Sequence, residues 1–76
     1  MTPYRNLSGK SGIVSYELSE DSITVVFRSG RYRHYLYDGT RPGISVVERM
    51  KALARQGYGL NRYILSDVKH NFSRKW

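Results

Sequence analysis

The chain has 76 residues, 13 Lys and Arg against 6 Asp and Glu, a formal net charge of +7 and no cysteine. A chain this short forms one domain and buries only about 60% of the surface its unfolded form exposes, which excludes a two-lobed enzyme with a deep cleft. The missing cysteines exclude a disulfide scaffold, thiolate catalysis and Cys-ligated zinc or iron–sulfur sites.

In chain order, Met1–Gly12 is polar, carries Pro3, Gly9 and Gly12, and reads as a flexible arm. It shows no basic-then-apolar leader, and no apolar run in the chain nears the roughly 18 residues of a membrane span. Hydrophobic residues at 39% and aromatics at 13% are too many for a disordered chain. The expectation is a small, basic, cytoplasmic globular domain with no membrane segment. Ile13–Leu18 alternates, with Val14, Tyr16 and Leu18 on one side. Ser19-Glu20-Asp21 is a turn. Ser22–Arg28 alternates again, with Ile23, Val25 and Phe27 opposite Thr24, Val26 and Arg28. Ser29-Gly30 predicts a two-residue hairpin turn, because Gly takes the positive φ such a turn needs. Arg31–Tyr37 is a third, aromatic strand, and 38–43 is a loop through Pro42.

The period then changes from strand to helix. Val46, Val47, Met50, Leu53 and Ala54 fall at helical spacing, while Glu48, Arg49, Lys51, Arg55 and Gln56 face away. Ser45 and Glu48 stand at capping-box spacing, and Gly57 stops the helix, so it is placed at Ser45–Gln56. Tyr58–Asn61 is a turn. Leu60, Ile64, Leu65, Val68 and Phe72 predict a short helical or irregular segment that folds back, and 69–76 is a basic tail. The expected fold is α+β: a three-stranded antiparallel meander on one main helix. The arm covers 1–12, the single domain 13–68 and the tail 69–76.

Charge is uneven. Residues 1–38 hold five basic and four acidic groups, a net +1, and residues 39–76 hold eight against two, a net +6. Nine of the 13 bases are Arg, which suits bidentate phosphate contact and stacking. Such a surface attracts polyanions, above all nucleic acid. A turn at Ser29-Gly30 makes Arg28 face Arg31, Val26 face Arg33 and Thr24 face Tyr35. One sheet face then holds Ile23, Val25, Phe27, Tyr32, His34 and Leu36, the bed for the helix. The other gathers Arg28, Arg31, Arg33, Tyr35 and Tyr37. Bases stack on tyrosine rings while Arg reaches phosphate. The alternative is that the tail packs over this face and its tyrosines belong to the core. A one-residue change of register would swap the two faces.

Other constellations are weak. His34 and His70 have no partner at metal spacing, no two carboxylates form an acid–base pair, and nothing resembles a nucleophile elbow. Gly57-Tyr58-Gly59 follows a helix rather than opening one, unlike a phosphate loop. No catalytic residue, metal or cofactor is expected.

The order of pieces from Ser11 to Val68 resembles the KTSC domain, named after the C-terminal extension of some lysyl-tRNA synthetases. The matching residues are Ser11-Gly12-Ile13 before Tyr16, then Ile23-x-Val25-x-Phe27-x-x-Gly30 and Tyr35-x-Tyr37. Pro42, the helix with Leu53 and Ala54, and Gly57-Tyr58-Gly59-Leu60-Asn61-x-x-Ile64 follow. Tyr35-x-Tyr37 stands further from Gly30 than in the family, Tyr32-x-His34 is the other mapping of that motif, and Leu60 replaces its usual Phe. The resemblance implies a non-catalytic module, with RNA binding proposed for the family because of the synthetase fusion.

Two functions follow as expectations. The first is nucleic-acid binding, RNA favoured, through Arg28, Arg31, Arg33, Tyr35 and Tyr37, with Arg62, Lys69, Arg74 and Lys75 on phosphates. The second is docking on a protein partner through the tyrosine face or the tail with Trp76, since Tyr, Trp and Arg dominate interface hot spots.

Overall fold

Alternating apolar residues and the turn at Ser19–Asp21 produce the two central strands, β2 (Ile13–Ser19) and β3 (Ser22–Phe27). The computed structural model describes residues 1–7, 9 and 11–76; Ser8 and Lys10 of the expected arm lie outside them. Strand β4 (His34–Asp38) pairs with β3, completing the predicted meander. Two further strands extend it. β1 (Thr2–Pro3) lies along β2 and β5 (Arg74–Lys75) along β4, giving an antiparallel sheet of five strands in sequence order. The arm is therefore not free among its described residues. The Tyr4 backbone N–H donates to the Val14 carbonyl at 2.9 Å, and the Tyr4 ring is buried. The basic tail likewise is partly strand, at Arg74 and Lys75. Both edge strands are only two residues long, which leaves few open backbone groups for unwanted pairing.

Two registers differ from expectation. In β2 a bulge between Ile13 and Ser15 turns Ile13 into the core and leaves Val14 48% exposed. The β3–β4 pairing is shifted by one residue from the predicted two-residue turn: Ile23 faces Tyr37, Val25 faces Tyr35 and Val26 faces His34. The Arg28 N–H does not turn back to Arg31 but donates to the Gly12 carbonyl at 2.8 Å, and Phe27 N–H instead reaches the Arg33 carbonyl. This register puts Tyr35 and Tyr37 on the helix side with Ile23 and Val25. Burying tyrosine rings removes more apolar surface from water than burying His34 and Leu36 would. It also keeps the Arg28 and Arg31 charges from standing opposite each other.

Helix α1 (Ile44–Gln56) lies on this face with Val47, Met50 and Ala54 buried, as the stripe predicts. Its end at Gly57 is left-handed, φ 77°. A side chain there would also put its Cβ 2.7 Å from that of Arg5, so only glycine fits. The start departs from the capping box: Gly43 is the N-cap without a side-chain bond, and Glu48 pairs with Lys51 at 3.1 Å. Lys51 does not face away. Its ammonium is buried and donates to the Ser19 and Glu20 carbonyls at 2.6 and 2.7 Å, clamping the β2–β3 turn.

Helix α2 (Leu60–Tyr63) runs into a π-helical turn, Ile64–Val68. Leu60, Ile64 and Val68 fold back into the core as expected, but Leu65 points outward at 69% exposure. No helix among the described residues is long and apolar enough to cross a membrane.

Candidate nucleic-acid interface

The shifted register redistributes the predicted site. Tyr37 is not on an open face: it is 1% exposed, and burial, with the neighbouring Tyr35 phenol adding to it, pushes its phenol pKa upward. Tyr35 is half-buried on the same side. Its ring meets Phe27 edge-on at 5.3 Å and Phe72 at 5.0 Å. The expected platform of three arginines beside two open tyrosines therefore does not form.

The residues that replace it come from the C-terminus. Strand β5 forms because Ser73 N–H donates to the Leu36 carbonyl, Trp76 N–H to the His34 carbonyl, and both Arg33 and His34 N–H groups to the Trp76 carbonyl, all at 2.8–3.1 Å. Strand alternation then separates neighbouring side chains. Arg74, opposite Leu36, and Trp76 stand on the outer face, away from α1. There the Trp76 indole stacks on His34 at 5.3 Å with an interplanar angle of 11°, and the Arg74 guanidinium lies over the indole, also at 5.3 Å. Lys75, opposite Tyr35, reaches to the helix side. Its ammonium sits 4.8 Å above the Tyr32 ring and 5.5 Å above Phe72.

On that helix side lies a cleft of about 380 Å³ between the β3–β4 loop and the segment after the π-turn. Phe27, Tyr35 and Phe72 contribute aromatic walls with the buried Tyr37 behind them, and Arg31, Lys69 and His70 line the rim. The Arg31 guanidinium is 5.8 Å from the Tyr32 ring centre. Lys69 leaves the π-turn at φ 54°, ψ −122°, a region that suits glycine and strains a residue with a Cβ. The π-turn and this strained residue, both irregular, turn the chain over the cleft instead of prolonging the helix.

Of the nine predicted site residues, Arg31, Tyr35, Tyr37 and Lys69 line the cleft, and Lys75 reaches over its Tyr32 and Phe72 rings. Arg74 belongs to the outer face. Arg28 and Arg33 are exposed in and beside the β3–β4 loop. Arg62 stands apart, in a second cavity of about 440 Å³ with Tyr4, Tyr58 and Leu65. Tyr32, His34, His70, Phe72 and Trp76 join the surface without having been singled out for nucleic acid. The aromatic strand 31–37 signals Tyr32 and His34, and the run Arg74-Lys75-Trp76, whose side chains alternate only if the tail is a strand, signals Trp76.

At the far end of β4, Asp38 Oδ1 accepts the Thr40 and Arg41 backbone N–H groups at 3.0 and 3.1 Å. The Arg41 amide contact first, with help from Ser73 and Thr40 and against some desolvation, holds its pKa below the usual carboxylate value.

No protein-family model, no curated protein and no solved structure matches the chain. The resemblance to the KTSC domain rests on the ordered residues alone.

Proposed function

We propose that this protein is a small non-catalytic module that binds single-stranded nucleic acid, RNA first, across the β5 edge of its sheet. One observation carries the reading: β5 sends one cation to each side of the edge, and each meets a ring, Arg74 over Trp76 on one side and Lys75 over Tyr32 and Phe72 on the other. A flexible, singly stranded polyanion can follow such an edge, stacking bases on rings and laying phosphates along Arg and Lys; a stiff duplex cannot. The +6 charge of residues 39–76 supplies the attraction. The KTSC resemblance agrees with this through the synthetase fusion, as an analogy at the level of the domain.

The test is a titration of labelled single-stranded RNA, and of DNA of the same sequence, at several salt concentrations. With about five phosphates neutralised, the log–log slope of affinity against salt should be roughly −3.5. Trp76 is the only tryptophan, so its fluorescence should be quenched as a base stacks. No binding at low salt, or an affinity indifferent to salt, ends the reading. A second reading, docking on a protein, is favoured by the 46% exposure of Trp76; a partner retained after nuclease and high salt would select it.

A further inference from the structure

We infer that the cleft between the β3–β4 loop and the post-π segment is a pocket for one unstacked nucleobase, with the attached phosphate held by Lys69 and Arg31. This deepens the nucleic-acid reading and rests on it. At about 380 Å³ the cleft stands near the lower end of the range for small-ligand sites, about 300–1,000 Å³. That suits a single nucleotide rather than a helix of paired bases.

The walls suit a flat ring. Phe27 and Phe72 both stand nearly perpendicular to Tyr35, at 88° and 83°, so Tyr35 is braced from two sides. Tyr32 is 41% exposed at the mouth and carries Lys75 at 4.8 Å and Arg31 at 5.8 Å from its ring centre. A base entering here meets π-faces, and its phosphate meets cations, without any base-specific hydrogen bond being required. Rings that a well-packed core would have covered are left lining open space.

The backbone around the cleft points the same way. The π-turn closes α2 rather than interrupting a longer helix, and a lysine in glycine-like geometry persists only where its surroundings impose it. Here the two adjoin in one stretch, 64–69, and Ile64, Lys69, His70 and Phe72 line the cleft. Among the described residues, Arg62 is the one charged group lining the second cavity.

The test compares a short single-stranded RNA with an abasic sugar–phosphate chain of the same length. Losing the stacked base should weaken binding about 10-fold or more, and Phe72→Leu, which keeps apolar bulk but removes the ring, should shrink that difference while leaving the salt slope in place. Adenosine monophosphate alone should shift the Tyr32 and Phe72 ring resonances. Equal affinity for RNA and the abasic chain overturns the pocket and leaves phosphate binding intact. If no oligonucleotide binds, the broader reading falls, and the mononucleotide titration still decides the cleft: silent Tyr32 and Phe72 resonances overturn it. That titration uses the unaltered chain, so the folding of the Phe72→Leu variant does not enter its outcome.

Discussion

The same sheet face is covered twice, and the two covers differ. Under α1, Ile23, Val25, Val47 and Met50 are all fully buried. Beneath the segment after α2, Phe27, Tyr35 and Phe72 are only half-covered and a cleft remains. The cause is regularity. A helix of 13 residues presents one continuous apolar stripe. The second segment makes one α-turn and one π-turn and then breaks at Lys69, and it packs on the core through Leu60, Tyr63, Ile64, Val68 and Phe72. In a chain with so thin a core, each fully buried apolar side chain contributes about 1.5–3 kcal/mol. Leaving three rings part-covered forgoes stability at this end of the face.

The contrast can be broken by mutation. Met50→Ala should destabilise the chain by about 2–5 kcal/mol, because the sealed end cannot collapse around the space left behind. Phe72→Ala should cost clearly less, since one side of its ring already meets open space. Urea unfolding of both variants decides this, and equal losses would show that the two ends are packed alike.

Lys69→Gly should act in opposite directions on folding and binding. Relief of the positive-φ strain should raise stability by about 1 kcal/mol, and loss of the ammonium should weaken RNA binding and make the salt slope shallower by about 0.7. A melting temperature that falls on substitution would remove strain as a feature of this end of the face.

The smallest effect concerns acid. Because the folded pKa of Asp38 is lowered from 3.8, its contribution is complete above the unfolded value and is lost as pH falls through the folded one. Stability measured from pH 6 downward should therefore decline through that range more steeply in the parent chain than in Asp38→Asn. Identical profiles would mean that the loop bonds to Thr40 and Arg41 do not stabilise the fold.

Local pattern was enough for much of the molecule. Period-2 alternation marked Ile23 and Val25 as core, the 3.6-residue spacing of Val47, Met50 and Ala54 marked α1, and Gly57 marked its end, because each of these depends on neighbours in the chain. The α+β class and the basic second half were legible in the same way. Lys51 was not. Its spacing on the helix said outward, and only the nearby Ser19 and Glu20 carbonyls make burial of its ammonium tolerable.

What tertiary structure alone decided is which way the rings point. The pairing of β4 with β3 is a competition between two registers one residue apart, and its outcome depends on Gly12 capturing the Arg28 N–H and on the apolar bed waiting for Tyr35 and Tyr37. The tail became a strand for a comparable reason: β4 had an open edge, and Ser73 and Trp76 found its carbonyls. Such choices are made between segments far apart in the chain, where periodicity carries no information.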